Sequence, residues 1–362
     1  KAVPGVRANK VPIDEHGKPT NVKLTTPIKM VWQYSGNSLL GQTGDNNRSA
    51  EILRDDSKCE LVVVCDIQYT TSARYADYIL PGTSTAEEDD IHPGENGGPM
   101  AYGIVSSQAI RPLYECRNIY DICVGLAKRL GTEKEFTGGL TRTQWLERTI
   151  AETRKDNPEL PTYREWKKMG IFRKDMDPHV ELAEFRKDPG SNPLDTPSGK
   201  IEIYSERLAA MSKVWTFGTF HDKLRGDDLT ALPEYVATWE GPEEAKASKK
   251  YPFQVIGHHF KGRTHSSYGN VDWLVDAHPQ TVWINTKDAR TKGITNGDEV
   301  FVYNDRGTIR LPARVTNRIT PGVLSVPQGA WYRPSDARDI TPPNGANPNH
   351  PVDINGAVNT LT

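Results

Sequence analysis

A continuous run of β-forming residues, Leu61 to Cys65, limits the fold of this chain more than any other feature. A strand that faces water on one side alternates apolar and polar residues, whereas this run has no polar position before Asp66. Uninterrupted apolar strands are typical of parallel sheets that are covered on both faces. The run therefore predicts a buried strand within an open α/β sheet.

The neighbouring segments fit the same architecture. Met30 to Tyr34 and Tyr78 to Pro81 are predicted to be short strands, and Thr70 to Ala76 is predicted to be a helix. Ile119 to Leu130 has the apolar spacing of an amphipathic helix and is followed by glycine, which often ends helices. The alternation of strands and helices favours an α/β domain over residues 28–131, after an irregular lead-in over 1–27.

Polar side chains follow the predicted strands at the points where they end. Asn37 follows the first strand, Asp66 the second, and Glu87 and Glu88 come soon after the third. Ligands of open α/β sheets bind beyond the carboxyl ends of the strands, and a carboxylate there can accept hydrogen bonds from a ribose or a guanine. A turn cap at Asp66 and a solvated acidic stretch at Glu87 to Asp90 are the alternatives. The chain shows no glycine-rich dinucleotide or P-loop sequence in this region.

The second part of the chain changes character twice. Residues 132–250 are rich in charge and proline and are predicted to be a helical and irregular connector, with a helix at Arg142 to Arg154 and a short strand at Lys200 to Tyr204. Residues 251–362 carry short β-forming runs with turn signals about every ten residues, which indicates a β-barrel or sandwich. The predicted elements there are strands at Phe253–Ile256, Thr281–Ile284, Glu299–Tyr303, Thr308–Val315 and Val323–Val326, and a helix at Thr286–Lys292.

The loop from Gly257 to Asn270 holds the densest group of candidate ligand contacts. It contains five basic or imidazole side chains and no acid, with glycines that let the backbone approach a ligand. Lysine and arginine form charge-assisted bonds to phosphate, so an anion or a heterocycle is the predicted ligand. The spacing of His258, His259 and His265 fits no familiar metal-ligand pair, although a metal site and an ordinary solvated loop stay open as alternatives.

Composition narrows the classes of function. The formal net charge of -2 argues against a general nucleic-acid binder, and no apolar run is long enough for a membrane span. The opening residues lack the apolar core of a signal peptide. The four cysteines have no metal-site spacing and are predicted to be buried free thiols. The Asn- and Gly-rich stretch Asn344 to Asn359 could pair with a pterin or purine edge, or could be a terminal loop.

Several stretches resemble the dimethyl sulfoxide reductase family of molybdopterin enzymes. Asp66 to Pro81 (DIQYTTSARYADYILP) and Gly36-Asn37-Ser38 are similar to the third domain of that family. Ile284 through Val323 is similar to its molybdopterin-dinucleotide-binding domain. Three further stretches are similar to the catalytic subunits of its membrane-anchored members: Gly262–Asn270, Gly329–Tyr332 and Asn359–Thr362.

The resemblance implies a fold, a cofactor and a set of contacts. The fold would be a Rossmann-like open α/β domain followed by a double-psi β-barrel, and the cofactor would be bis(molybdopterin guanine dinucleotide) carrying molybdenum. The guanosine pocket would be lined by Asn37, Asp66, Glu88 and Asn118. The pterin and pyrophosphate would be contacted by Gly257, His258, Lys261, Arg263, His265, Ser266 and Asn359.

The resemblance also implies an activity: reduction of S-oxides or N-oxides such as dimethyl sulfoxide by oxygen-atom transfer in anaerobic respiration. The molybdenum ligand and any iron–sulfur cluster would lie in an amino-terminal part outside this chain. We therefore expect sequence beyond both ends, assign no catalytic or metal-binding residue, and expect this piece alone to be inactive.

By the same resemblance, the partners would be an iron–sulfur electron-transfer subunit, a membrane anchor and a small-molecule oxide, at the periplasmic side of the inner membrane. Nitrate, selenate, polysulfide and formate stay open as substrates. A nucleotide- or pterin-binding module without redox chemistry is the alternative from a different class.

Overall fold

Residues 27–93, 101–213, 229–238, 240–336 and 340–362 are described in a computed structural model of the chain. The predicted lead-in over 1–27 lies outside these residues except for its last position. The strands are β1 (Met30–Tyr34), β2 (Leu61–Asp66), β3 (Tyr78–Pro81), β4 (Asp90–Pro93), β5 (Tyr102–Ser106), β6 (Ile171–Arg173), β7 (Gln254–His258), β8 (Val282–Ile284), β9 (Glu299–Tyr303), β10 (Thr308–Val315), β11 (Val323–Pro327) and β12 (Val352–Asp353).

Helices occupy much of the region between the strands. They are α1 (Ser38–Gly41), α2 (Asn46–Leu53), α3 (Ile119–Leu130), α4 (Glu133–Thr137), α5 (Arg142–Asp156), α6 (Tyr163–Met169), α7 (Ala183–Lys187), α8 (Glu206–Ser212), α9 (Pro242–Ala247), α10 (Asp272–Ala277) and α11 (Thr286–Lys292). In the part of the chain that the structure describes, no helix is long and apolar enough to cross a membrane.

The chain divides into two compact units. The first comprises Lys1–Val62, Thr70–Asp77 and Glu184–Thr362, and the second comprises Val63–Tyr69 and Tyr78–Ala183. This division does not test the domain boundaries predicted at residues 131 and 250, which stay predictions.

The second unit combines parallel and antiparallel pairing. β2 pairs in parallel with β3, with Val63 opposite Tyr78, as the apolar run of β2 predicts. The strands β4, β5 and β6 form an antiparallel sheet in that order. This sheet packs on α5 and α6 through a core that includes Val105, Ile150 and Trp166.

The first unit is built around a six-stranded sheet of the order β12-β10-β8-β11-β7, with β9 paired to β10. β10 is parallel to β8 and β12 but antiparallel to β9, and β11 is parallel to β7 but antiparallel to β8. Apolar positions from these strands form one core, which includes Val282, Ile309, Leu311 and Val326. A smaller core gathers Leu40, Ala50, Ala330, Tyr332 and Ala357.

Local sequence signals set the ends of several helices. The side chain of Asp45 accepts from the backbone N–H of Arg48 and begins α2, as a cap at this position predicts. Asn285 begins α11 in the same way, and Gly293 ends that helix with a left-handed φ of 68°.

Two predicted elements are wrong. Thr70 to Ala76 forms only a 3₁₀ turn at Ser72–Tyr75, because Ala76 adopts an extended backbone with φ -88° and ψ 144° and ends the helix after one turn. Lys200 to Tyr204 is not a strand, since no described neighbour supplies a hydrogen-bonded ladder to it.

All four cysteines are free thiols, as predicted, but the predicted burial holds for only one of them. Cys65 is fully buried, whereas the free thiols of Cys59, Cys116 and Cys123 are partly exposed. Burial raises the pKa of the Cys65 thiol to about 11, so it remains protonated and unreactive at neutral pH.

Candidate functional site

Three segments of the first unit meet at one end of its sheet. β7 and β11 run in parallel with His258 opposite Pro327, so the loops that follow the two strands leave at the same end. The backbone N–H of Gln328 donates to the carbonyl of His258 at 2.9 Å and joins the two loops. We call residues 257–270 the basic loop, residues 327–335 the strap and residues 353–361 the terminal segment.

Arg263 holds the basic loop to the strap. Its Nε and Nη2 donate to the carbonyl of Gln328 at 3.0 and 2.9 Å, and Nη2 also donates to the side-chain oxygen of Gln280 at 2.7 Å. The guanidinium lies 4.3 Å from the ring centre of Phe260. Burial lowers the pKa of Arg263 to about 10, which still leaves it charged at neutral pH. Two of its three nitrogens thus serve the scaffold, and its predicted phosphate contact stays a prediction.

His265 and Ser266 lie against the strap at very close range. A Cβ on Gly329 would fall 1.7 Å from the carbonyl oxygen of His265, so only glycine fits at that position. The indole N–H of Trp331 donates to the carbonyl of Ser266 at 2.7 Å, and Nδ1 of His265 lies 3.2 Å from the side-chain nitrogen of Gln328. These contacts fix the backbone of the basic loop where the sequence predicted a ligand.

His258 is held by its neighbours in the sheet. Its Nδ1 lies 2.6 Å from the hydroxyl oxygen of buried Ser325, and its ring centre is 4.9 Å from that of Trp283. Burial lowers the pKa of His258, which favours a neutral ring with Nε2 available to a ligand.

A cavity of about 780 Å³ lies beside the basic loop, and all the formally charged side chains that line it are basic. Its lining includes Lys261, Arg314 and Arg318 but no carboxylate. The guanidinium carbons of Arg314 and Arg318 lie 4.9 and 5.8 Å from the ring centre of Trp283. Among the described residues none of these three cations has an ion-pair partner. Sequence reasoning missed both arginines, since their positions on and after β10 give no local signal that they approach the loop.

A second cavity, of about 820 Å³, opens between β7, the strap and the terminal segment. Gly257 and Asn359 line it, as does Gln254, whose side-chain oxygen is buried without a hydrogen-bond partner. A Cβ on Gly257 would meet nothing closer than 4.0 Å, so the backbone there is open to a ligand. The amide nitrogen of Asn359 donates to the carbonyl of Gly41 at 3.0 Å, which leaves its oxygen available.

The terminal segment is organised by one buried carboxylate. Asp353 accepts from the backbone N–H groups of Asn355 and Ala357 at 2.8 and 2.9 Å and of Arg333 at 3.3 Å, and from the hydroxyl of Thr360 at 3.1 Å. Burial raises the pKa of Asp353 to about 7, against the opposing effect of these four donors. The carboxylate therefore ties the strap to the turn that carries Asn359.

Asn37 is also in the first unit and is almost fully buried. Its side-chain oxygen accepts from the backbone and hydroxyl of Ser72, both at 2.9 Å, while its side-chain nitrogen has no partner. Gln33 has the same arrangement: its oxygen accepts from Ser38 and Leu39, and its nitrogen is buried without a partner. Gln33 was not predicted, because a polar residue inside a strand gives no signal of this kind.

The other predicted guanosine contacts lie in the second unit. Asp66 accepts from the backbone of Gln68 at 3.2 Å at the end of β2. Glu88 accepts from the hydroxyl of Thr83 and from the amide of Asn118, and the oxygen of Asn118 begins α3. Both Glu88 and Asn118 are thus bonded within the protein, and their contact with a nucleoside stays a prediction.

Within the described ranges, no group of three or more His, Cys, Asp or Glu side chains could hold a metal ion.

Known proteins place these features in one family. Residues 253–362 match the family described as Molydopterin dinucleotide binding domain, and residues 6–129 match the family described as Molybdopterin oxidoreductase. The chain is 45% identical over 343 residues to dimethyl sulfoxide reductase DmsA of Escherichia coli (strain K12), which covers 94% of this chain and 40% of that protein.

Over 94% of its length the chain is similar to the dimethyl sulfoxide reductase family of molybdopterin oxidoreductases.

A further relative and a solved structure are also similar to this chain. The chain is 34% identical to a dimethyl sulfoxide/trimethylamine N-oxide reductase of Cereibacter sphaeroides, over 86% of this chain and 37% of that protein. Acetylene hydratase from Pelobacter acetylenicus has a similar fold, with a TM-score of 0.66 at 21% identity, over 93% of this chain and 41% of that structure. The chain thus spans about two fifths of the length of the relatives that it matches.

The residues of the first unit fit the molybdopterin dinucleotide that this family binds. An acid-free cavity with three cations that have no ion-pair partner in the described part of the chain suits the phosphates of a dinucleotide. The buried oxygen of Gln254 and the buried nitrogen of Asn37 have no protein partner, so each can bond to a polar ligand. The open backbone at Gly257 allows a flat heterocycle to approach the second cavity.

Proposed function

We propose that this chain is part of the catalytic subunit of a molybdenum enzyme that reduces S-oxides and N-oxides, such as dimethyl sulfoxide. Its similarity to a dimethyl sulfoxide reductase and to a dimethyl sulfoxide/trimethylamine N-oxide reductase supports the substrate class. The observation that carries the proposal is the acid-free cavity beside the basic loop, lined by Lys261, Arg314 and Arg318.

The six-stranded sheet of the first unit is proposed to be a double-psi barrel. Two parallel pairs, β7 with β11 and β8 with β10, are joined by the antiparallel contact of β11 with β8. Parallel pairs that interlock in this way place two loops at one end of the sheet, as in the basic loop and the strap.

We assign the residues of the first unit to two parts of bis(molybdopterin guanine dinucleotide). Lys261, Arg314 and Arg318 neutralise phosphate charge, with His258 nearby as a neutral donor or acceptor. Gln254, Gly257 and Asn359 line the second cavity, where they can meet the hydrogen-bonding edge of a pterin. His265 and Ser266 present the backbone of the loop.

In the first unit, guanosine recognition is assigned to Asn37, whose buried amide nitrogen has no partner among the described residues. In the second unit, it is assigned to Asp66, Glu88 and Asn118. The bound cofactor supplies oxygen-atom transfer and two-electron reduction, and the protein supplies binding and orientation. The molybdenum ligand is proposed to lie outside this chain.

The setting of the enzyme is proposed from the same family. The subunit would receive electrons from an iron–sulfur subunit attached to a membrane anchor, and would act in anaerobic respiration at the periplasmic side of the inner membrane. An iron–sulfur cluster, if the subunit carries one, would also lie outside this chain.

The test uses the full-length protein, purified without oxygen. We expect molybdenum and guanine nucleotide at a ratio of one to two, and oxidation of a reduced viologen dye that depends on dimethyl sulfoxide or an N-oxide. A protein without molybdenum, or one that reduces nitrate but neither oxide, would show the proposal to be wrong.

A variant pair tests the cavity itself. Arg314→Gln with Arg318→Gln should lower the nucleotide content of the purified protein, because two unpaired cations are removed. Lys287→Gln with Arg290→Gln makes the same charge change at two exposed positions of α11 and should leave that content unchanged.

A further inference from the structure

Gln280 lies just before β8 and joins all three segments of the candidate site. Its side-chain oxygen accepts from Nη2 of Arg263 at 2.7 Å. Its side-chain nitrogen donates to the carbonyl of Pro327 at 2.8 Å and to the carbonyl of Gly356 at 2.9 Å. These partners belong to the basic loop, the strap and the terminal segment in turn, and they lie 17, 47 and 76 residues away along the chain.

These bonds are three of the four that a primary amide can make. A primary amide has two N–H donors, and both are used on carbonyls; its oxygen is used on a cation. The backbone of Gln280 is set by the strand that begins at Val282, so the amide starts from a fixed point in the sheet. A single side chain thus holds three loop segments at defined distances.

The surroundings of Gln280 are shaped to receive it. Gly356 has a φ of +70°, and a Cβ there would lie 3.0 Å from Cγ of Gln280. Arg263 is half-buried and makes no ion pair with a described carboxylate, so the oxygen of Gln280 and the carbonyls of Gln328 and Pro327 are what solvate its Nη2. Neither an ionised carboxylate nor an apolar side chain could make all three bonds, because the two carbonyls require donors and the guanidinium requires an acceptor.

We propose that Gln280 is the positioning residue of this site. It does not line either cavity described above. It sets the basic loop, the strap and the terminal segment in register, and so fixes the spacing between Lys261 on one side and Asn359 on the other. Its effect on cofactor retention rests on the proposed function, whereas its effect on the three segments does not.

The test measures amide hydrogen exchange in the full-length protein, with Gln280→Met as the main variant. Methionine has a similar volume but makes none of the three bonds. We expect amides in the basic loop, the strap and the terminal segment to exchange about tenfold faster, the effect of losing roughly 1.4 kcal/mol of net hydrogen bonding. Gln108→Met is the matched control, since Gln108 is exposed and only its backbone N–H is bonded. If fewer than three segments respond, the proposal is wrong.

Gln280→Glu tests the acceptor bond to Arg263 separately from the donor bonds to Pro327 and Gly356. It is also the variant to use if the methionine variant does not fold. It keeps an acceptor for Arg263 but loses both donors. We expect the terminal segment to exchange faster while the basic loop keeps its parental rate. If both segments respond equally, or if neither responds, the proposal that Gln280 holds the three segments is wrong.

Cofactor retention is then measured on the same proteins as molybdenum released over time. We expect Gln280→Met to lose the metal about tenfold faster than the parental protein and Gln108→Met to match the parental rate. If the parental protein holds no molybdopterin, the proposed function is wrong. The exchange data alone then decide whether Gln280 holds the three segments. If exchange responds in all three segments but retention does not change, Gln280 has no positioning role.

Discussion

The indole N–H of Trp331 donates to the carbonyl oxygen of Ser266 at 2.7 Å. The bond links the strap to the basic loop across 65 residues of sequence. Gly269 lies against the same indole, where a Cβ would fall 2.9 Å from its nitrogen. The basic loop thus rests on an aromatic ring that contributes both packing and a hydrogen bond.

Trp331→Phe should destabilise the folded protein by about 1 kcal/mol, because the carbonyl of Ser266 loses its donor while most of the packing remains. The measurement is the midpoint of urea unfolding followed by circular dichroism. Trp273→Phe is the control, since that indole is 70% exposed on α10. Equal shifts for the two variants would show that the bond contributes nothing.

Gly329→Ala should be far more harmful than Gly293→Ala, although both glycines have a left-handed φ. A Cβ at Gly293 would meet nothing within 4 Å, so that change costs about 1 kcal/mol of backbone strain. A Cβ at Gly329 would overlap the carbonyl of His265, and we expect a loss of about 3 kcal/mol or no folded protein. Similar thermal midpoints for the two variants would contradict this close approach.

The sequence predicts the sheet of the first unit better than its site. Thr308 to Val315 and Thr286 to Lys292 fold with the predicted bounds, because apolar alternation and helix caps act over a few residues. The role of Arg263 could not be predicted in this way. Its partners Gln280 and Gln328 lie 17 and 65 residues away, and only the fold shows that it is buried against them.

The same limit applies to ligand contacts. The basic loop stands out in the sequence because its charges are adjacent, whereas Arg314 joins the same cavity only through the pairing of β10 with β8. The antiparallel sheet of β4 to β6 was missed for a related reason: Asp90 to Pro93 is too polar to suggest a strand, and its pairing with β5 decides its conformation.

Asp353 should make the stability of the protein depend on pH. Its folded-state pKa is raised from 3.8 to about 7, so the folded state binds more protons than the unfolded state between those values. The stability that this group contributes is fully present below about pH 4 and is lost as the pH rises through about 7.

The measurement is the urea midpoint of the parental protein and of Asp353→Asn at pH 5, 6, 7 and 8. We expect the advantage of the parental protein to shrink as the pH rises, because asparagine does not titrate. Asp298→Asn is the control: a backbone N–H of Thr295 lowers the pKa of Asp298, so its contribution is constant over this range and is lost only in acid. A parental advantage that grows with pH would contradict the raised pKa of Asp353.

Lys261 and Arg263 stand two residues apart in the basic loop but should fail in different ways. Arg263→Lys replaces a planar fork that bonds Gln328 and Gln280 by a single ammonium group, and we expect a loss of about 2 kcal/mol of folding stability. Lys261 is exposed and has no ion-pair partner among the described residues, so Lys261→Gln should change stability by less than about 0.5 kcal/mol.

Cofactor content should separate the two variants further. Lys261→Gln removes one of the three cations that line the acid-free cavity, so nucleotide and molybdenum content should fall although the urea midpoint does not. For Arg263→Lys both quantities should fall together, because the loop loses its attachment to the strap. The two are measured on the same preparations, by metal analysis and by unfolding. A Lys261 variant with full cofactor content would remove this lysine from the phosphate site, and an Arg263 variant with parental stability would show that its bonds to Gln280 and Gln328 do not hold the loop.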